Sequence, residues 1–231
     1  MNMSHLLNQL LGASADQAPT GNPAGSPGGG PGGSVSDFIS GRGGAALAGG
    51  ALGLLLGSKR GRKMGGKVLK YGGVAALGVM AYKAYGNWQA QAGQTAPVAE
   101  PQTLDRVTGP VAEQHSTAVL KAIIAAAKSD GHVDERERQL IDEGLRSLTA
   151  DPSVLQWVER ELQKPLDPAE VAAAAGTLEV ASEMYLASAL VIDDGNFMER
   201  SYLDELVREL KLAPELVTEL NAQAAAARGT V

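Results

Sequence analysis

The sequence predicts an all-α protein: a compact helical bundle preceded by a Gly/Ala-rich hydrophobic hairpin and by linkers. Three observations predict this fold. Apolar residues recur with helical spacing throughout the C-terminal half, no run alternates with period two for long enough to make a sheet, and residues 118–148 match residues 180–210. The bundle is expected to occupy residues 111–231.

Composition and charge divide the chain into two halves and exclude several classes of protein. The 231 residues include no cysteine, which excludes a disulfide framework, a cysteine nucleophile and a thiolate metal site. Residues 1–110 carry 9 Lys+Arg and 4 Asp+Glu, whereas residues 111–231 carry 11 and 22. Because phosphate binding needs cationic side chains, this acidic half argues against nucleic acid as a partner.

The N-terminal segment, residues 1–12, is predicted to be a short amphipathic helix that either docks on another protein surface or lies at a membrane interface. Its apolar residues fall on one helical face: Met3, Leu6, Leu7, Leu10 and Leu11. Residues 13–36 are mostly Gly, Pro, Ser, Ala and Asp, a composition that buries too little apolar surface to fold. They are predicted to be a disordered linker.

Residues 37–88 are predicted to form a membrane hairpin. Two apolar runs, 43–57 and 68–82, flank a basic turn at 58–67. Small residues recur at every fourth position, which permits close helix packing in lipid and self-association: Ala45, Gly49, Gly53 and Gly57. Each run is shorter than the roughly 20 residues of a spanning helix. A spanning hairpin, a re-entrant hairpin and a soluble Gly/Ala-rich segment or glycine-zipper oligomer therefore stay open.

The acidic domain follows a second predicted linker, residues 89–110. Its sequence contains clear signals for the starts of helices. Asp151 and Asp167 each precede a proline, the pattern of an N-cap followed by proline at the first helical position. Pro214 opens the last helix in the same way. The internal match predicts two helix-loop-helix units, and among its identical pairs are Glu137 with Glu199, Arg138 with Arg200, Asp142 with Asp204 and Leu148 with Leu210.

Each unit carries an acidic loop, at residues 130–137 and 193–199. Clustered carboxylates beside a glycine can hold a hard cation through oxygen ligands. The EF-hand pattern does not fit, since Glu135 and Ile141 occupy the positions of its glycine and its bidentate glutamate. Helix capping accounts for many of the same residues, namely Gly131, Asp134, Glu137, Asn196 and Glu199. Capping leaves four polar residues unexplained: Asp130, His132, Asp193 and Asp194.

Apolar and charged residues around the second loop are interpreted structurally. Met184, Tyr185, Phe197 and Met198 are predicted to pack in the core. Arg200 is predicted to form a surface ion pair with its neighbour Glu199.

The pattern AAKSDGHVDERE followed by IDDGNFMERSYLDEL, behind a Gly-rich apolar segment and an N-terminal LLNQLLG, resembles the YebE-like bacterial inner-membrane proteins. Their C-terminal domain is similar to the TerB fold of tellurite-resistance proteins. The resemblance implies a helical bundle, an inner-membrane location and an acidic site suspected of metal binding. Its residues here are Asp130, Asp134, Glu137, Asp193 and Glu199. The second loop departs from the D-G-x-x-D-x-x-E pattern, which puts a symmetric pair of metal sites in doubt.

Two functions follow from these observations. The first is a membrane-associated, non-catalytic interaction protein whose acidic domain recruits an unidentified protein partner. The alternative is a divalent-cation-binding or metal/tellurite-stress-responsive module that uses the two acidic loops. A hydrolase is the weakest hypothesis, because the sequence has no Ser-His-Asp arrangement, phosphate loop or H-E-x-x-H pair. The protein is therefore predicted not to be an enzyme.

Overall fold

The computed structural model describes residues 2–11, 73–91, 100–131, 139, 141, 143–146, 149, 151–192 and 196–229. Over these residues the secondary structure is helical and contains no strand, which confirms the all-α prediction. Residues 139, 141 and 143–146 are also helical. The helices with defined bounds are α1 (Met3–Leu10), α2 (Gly73–Gln91), α3 (Gly109–Ala127), α4 (Pro152–Gln163), α5 (Pro168–Ala172), α6 (Leu178–Val191), α7 (Phe197–Glu209) and α8 (Pro214–Gly229).

Helix α6 forms the centre of the bundle. It contacts α2, α3, α7 and α8, and every residue from Val180 to Leu190 is buried. A helix that is apolar on all sides is expected at such a position, because it has no face to present to water. Glu183 is the one charged residue of this buried stretch.

Helix α1 packs against α3 and α2. Its apolar residues, with the spacing predicted from the sequence, are all buried: Met3, Leu6, Leu7, Leu10 and Leu11. The surface on which this amphipathic helix docks therefore belongs to its own chain.

Helix α2 contains most of the second apolar run of the predicted hairpin, and it packs against α1, α6 and α8. Its buried face consists of Val74, Leu77, Ala81 and Ala84. Protein, rather than lipid, therefore covers this face. No helix among the described residues is long and apolar enough to cross a membrane. Residues 37–72, including the first run and the basic turn, lie outside the described residues.

The second half of the predicted linker packs into the bundle. Thr103 and Leu104 are buried, and the Arg106 guanidinium lies 4.1 Å from the centre of the Tyr82 ring. Composition alone did not predict this contribution, because the segment has few large apolar residues, among them Leu104 and Val107. The helical unit thus includes α1, α2 and residues 100–108 in addition to the described part of the predicted domain, residues 111–231.

The caps predicted at Asp151 and Asp167 are present. Asp151 accepts a hydrogen bond from the Ser153 N–H, and Asp167 accepts from the N–H groups of Ala169 and Glu170. Pro214 begins α8, as predicted. The other end of α4 is held by Lys128, whose ammonium donates to the carbonyls of Glu161 and Lys164. Burial lowers the pKa of Lys128 against the opposing effect of nearby Glu161.

Candidate functional site

The first helices of the two repeat units pack side by side and run in the same direction. His115, near the start of α3, hydrogen-bonds Glu183, near the start of α6. Further along both helices, the Ser188 hydroxyl donates to the Ala122 carbonyl at 3.3 Å. Because the second contact lies further along the chain than the first on both helices, α3 and α6 are parallel. Their N-terminal ends lie at one end of the bundle, and the two acidic loops begin at the other.

The predicted acidic site is only partly within the described residues. Asp130 is exposed in the turn after α3, and Glu199 is half-buried in the first turn of α7. Asp134, Glu137 and Asp193 lie outside the described residues. In the part of the chain that the structure describes, no group of three or more His, Asp and Glu side chains is placed to hold a metal ion. The five-residue site stays a prediction.

Capping explains part of these loops. The Asn196 side chain accepts from the Met198 N–H at 2.9 Å and so caps α7, as predicted. Gly131 has a φ of +137°, a conformation open mainly to glycine, and its N–H donates to the Lys128 carbonyl at 3.3 Å. Helix α3 itself ends at Ala127, so Gly131 closes the turn that follows the helix.

A buried pair of titratable side chains lies at the opposite end of α3 and α6. The His115 Nδ1 is 2.9 Å from the Glu183 Oε2, and the two side chains are 6% and 0% exposed. The Leu104 N–H donates to the other carboxylate oxygen, Oε1. Burial raises the pKa of Glu183, although the hydrogen bonds from His115 and Leu104 act to lower it. The pair joins α3, α6 and the 100–108 segment at one point.

This pair can hold its proton in two arrangements. A protonated Glu183 donates to Nδ1 and leaves the ring hydrogen of His115 on Nε2, whereas an ionised Glu183 accepts from the Nδ1–H of the ring. Nε2 is a donor in the first arrangement and an acceptor in the second when the ring is neutral. No described residue hydrogen-bonds Nε2, and this nitrogen is not among the fully buried unpaired atoms.

His115 lines an open groove of ≈ 580 Å³ at this end of the bundle. The groove lies among α1, the first turns of α3, the loop before α6 and the start of α6, and its wall is largely apolar. The lining residues are Met3, Val111, Glu113, Gln114, His115, Thr117, Ala118, Ala174, Gly176, Thr177 and Val180.

Glu113 in the groove wall holds the start of α1. Its two carboxylate oxygens accept from the Met3 N–H at 2.8 Å and the Ser4 N–H at 3.2 Å. Burial acts to raise the pKa of Glu113, but hydrogen bonds from Ser4 and Met3 outweigh it, so the pKa is lowered. The carboxylate thus satisfies N–H groups that have no acceptor within α1.

Two residues predicted to lie in the core are on the surface. Phe197 is 73% exposed and Met198 is 51% exposed, so this prediction was wrong. The reason is their position: they occupy the first turn of α7, which presents them outward, whereas Tyr202 and Leu206 form the buried face of that helix. Met184 and Tyr185 are buried in α6, as predicted.

Sequence reasoning missed Glu183 and His115. A usable signal was present, because one acidic residue stands alone in the apolar run from Val180 to Ile192. A charge buried in such a run needs a partner. The sequence did not identify that partner, since His115 is 68 residues away in the chain.

Comparison with known proteins gives two similarities. Residues 41–224 match the family described as "Protein of unknown function (DUF533)", which is related to TerB. A protein of Yersinia enterocolitica named "Uncharacterized protein in ampR 5'region" is 34% identical over 117 residues, which cover 51% of this chain and 83% of that protein. No solved structure matches the chain.

Proposed function

We propose that this chain, which belongs to the DUF533 family of proteins of unknown function, is a membrane-associated, non-catalytic interaction protein of the bacterial inner membrane. The family match spans residues 41–224 and so covers both the apolar segment and most of the helical bundle. The YebE-like character proposed from the sequence belongs to the same hypothesis. Its helical domain recruits a protein partner to the membrane surface.

The membrane role is supported by the part of the predicted hairpin that the packing of α2 leaves outside the bundle. Because its buried face lies against α1, α6 and α8, only residues 43–57 remain as an uncharged apolar run outside the described bundle. Five cationic residues follow within residues 59–67. An apolar run beside a basic cluster suits insertion into an anionic membrane surface. The short connection to Gly73 then holds the bundle close to the lipid headgroups.

The structure also dictates how the anchor must be tested. Removing residues 41–86 would delete the buried face of α2, so loss of membrane binding would then report unfolding. The sharper variant lacks residues 43–67 and keeps α2. We expect the full chain to sediment with inner-membrane vesicles and this variant to stay in the supernatant with unchanged helicity and melting temperature. Sedimentation of the variant with the vesicles would contradict the anchoring role.

Phe197 and Met198 are the proposed contact with a partner. They are adjacent, largely exposed and preceded by Asp193 and Asp194 in the sequence. Aromatic and Met side chains are enriched at protein interfaces. A partner with an apolar contact residue flanked by basic residues would match both features.

The double variant Phe197→Ser/Met198→Ser tests this contact by crosslinking in cells, followed by sizing of the crosslinked complexes. We expect these complexes to be lost. The control is Val79→Ser on α2, which also replaces an exposed apolar residue and should leave them intact. Equal crosslinking of both variants would rule out this contact surface.

The second candidate function, binding of a divalent cation in response to metal or tellurite stress, is favoured by the parallel packing of α3 and α6. Helix C-termini carry partial negative charge, and two such ends meet where the acidic loops begin. Asp130 and Asp193 are the residues to test. A melting-temperature increase with Ca²⁺, Mg²⁺, Mn²⁺ or Zn²⁺ that disappears in Asp130→Asn/Asp193→Asn supports this function. Identical melting in chelator and in excess of each metal contradicts it.

A further inference from the structure

We propose that the surface of α3 and α2 on which α1 docks also binds α1 of a second copy of this chain, so that two copies exchange their N-terminal helices and form a dimer. This inference rests on the contacts that hold α1, on its small size and on the length of the connection that follows it. It does not depend on the proposed membrane anchor or on the acidic loops.

The first observation is that the apolar face of α1 is completely covered. The large apolar side chains of this helix and of its C-cap are buried: Met3, Leu6, Leu7, Leu10 and Leu11. Leu6 and Leu7 are 0% exposed. An amphipathic helix that lays such a face into a groove is a common mode of recognition between separate chains. The groove is therefore a complete binding site for one short helix.

The second observation is that polar contacts fix the position of α1 along the groove. The Glu113 carboxylate accepts from the Met3 N–H at 2.8 Å and from the Ser4 N–H at 3.2 Å. The Ser116 hydroxyl donates to the Ser4 hydroxyl at 3.2 Å. All of these partners belong to α3. An identical helix from another copy therefore finds the same apolar and polar contacts.

The third observation is the length of the connection between α1 and the bundle. Residues 12–72 separate the C-cap of α1 from the start of α2. A chain of this length reaches up to roughly 200 Å when extended, whereas the 19 residues of α3 are about 28 Å long. The connection is thus long enough for α1 to reach a neighbouring copy. Since effective concentration falls with the length of a connection, the preference of α1 for its own groove is limited.

The small size of α1 favours a docked state in either chain. It has 8 residues, and isolated helices of this length are marginal in water. Undocking would expose the apolar face of α1 and the groove to water at the same time. A released α1 therefore docks again, in its own chain or in a second one. Reciprocal exchange fills both grooves and closes a symmetric dimer.

Disulfide formation in the full chain measures the exchange. The chain has no cysteine, so Ser4→Cys/Ser116→Cys introduces its only two thiols, at positions whose hydroxyl groups are 3.2 Å apart. Oxidation links α1 to α3 within one chain, or between two chains that have exchanged α1. We expect both products, with a dimer-to-monomer ratio that rises about tenfold for each tenfold increase in protein concentration. Linked monomer alone at every concentration, or no link at all, would overturn the proposal.

Two single variants separate exchange from random collision. Ser4→Cys is mixed with a Ser116→Cys chain that carries a mass tag, so that only contact between chains can link the two thiols. Ser116 is 1% exposed, and a second chain reaches it by occupying the place of α1. The control is a tagged Ser201→Cys chain, whose thiol is exposed on α7. The Ser116→Cys chain should be linked at least about tenfold more than this control; equal linkage would refute the exchange.

The apolar face of the donor helix provides a further test. Leu7→Ser in the Ser4→Cys chain should reduce linkage to the tagged Ser116→Cys chain about tenfold or more, because the buried contact of α1 is lost. The receiving bundle is unchanged in this experiment. Gln9→Ser, at an exposed position of the same helix, should leave the linkage intact. Equal linkage with both donors would show that the groove does not recognise α1 in a second chain.

Discussion

Gly78 of α2 lies so close to Asp105 that a Cβ atom at position 78 would clash with the Asp105 Oδ1 and lie 2.6 Å from its backbone nitrogen. The absence of a side chain therefore allows α2 to approach the 100–108 segment. That segment in turn donates the Leu104 N–H to Glu183 in the central helix. The position of α2 and the environment of the buried carboxylate are thus linked.

Gly78→Ala should lower the free energy of unfolding by roughly 1–3 kcal/mol, because backbone and side chain must shift to admit the methyl group. Gly86→Ala is the control on the same helix. It meets nothing within 4 Å and should raise stability by roughly 0.5–1 kcal/mol through better helix propensity. Urea unfolding of both variants checks these opposite signs. A stabilised Gly78→Ala variant would contradict the observed packing.

Glu183→Gln should change how stability depends on pH. Burial raises the pKa of Glu183, so the folded chain holds this proton more tightly than the unfolded chain. Its contribution is fully present below the ordinary pKa of about 4.5 and declines as the pH rises through the raised pKa. Glutamine keeps both hydrogen bonds and does not titrate. The wild-type free energy of unfolding should therefore fall, relative to that of the variant, as the pH rises from about 4.5 through the raised pKa of Glu183. Urea unfolding at a series of pH values from pH 4 upward measures this difference. Parallel pH profiles of the two proteins would refute the prediction.

Glu113→Ala should release α1 selectively. The variant leaves the Met3 and Ser4 N–H groups without an acceptor, and loss of such a cap costs about 1 kcal/mol. Faster amide exchange at Leu6 and Leu7 is the expected result. Glu215→Ala, in the exposed first turn of α8, should leave their exchange unchanged. Because the pKa of Glu113 is lowered, its stabilising effect in the wild type should be lost as the pH falls below about 4.5.

Tyr202 and Tyr185 should respond in opposite ways to loss of their hydroxyl groups. The buried Tyr202 hydroxyl has no hydrogen-bond partner among the described residues, and burial raises its pKa. The neighbouring Ser188 hydroxyl donates instead to the Ala122 carbonyl. Tyr202→Phe should therefore be neutral or stabilising, whereas Tyr185→Phe, which loses a 2.9 Å bond to Asn221, should cost about 1 kcal/mol. Thermal unfolding of both variants measures the difference, and a clearly destabilised Tyr202→Phe would reveal a partner for that hydroxyl.

Local signals in the sequence predicted local structure well. Asp151, Asp167 and Asn196 lie at the helix starts where their side chains suggested, because an N-cap depends only on residues a few positions away. Leu6 and Leu7 are buried as their spacing indicated, although the pattern could not specify the surface that covers them.

Features that depend on distant parts of the chain were not predictable in the same way. The apolar character of α2 fits lipid and a protein interior equally well, and only its packing on α8 separates the two. The candidate groove depends on His115 meeting Glu183 and on α1 returning to α3, neither of which leaves a periodic signal. Phe197 illustrates the same limit, since hydrophobicity alone does not fix the direction in which a helix presents a side chain.

The parallel arrangement of α3 and α6 gives this pair of helices a permanent polarity. In an antiparallel pair the peptide dipoles would cancel, whereas here they add and point along one axis. The acidic loops increase this asymmetry at the end where the negative dipole ends meet. In the field of a charged surface such a body turns rather than lying at random, so the two ends of the domain would face different surroundings without any specific contact to orient them.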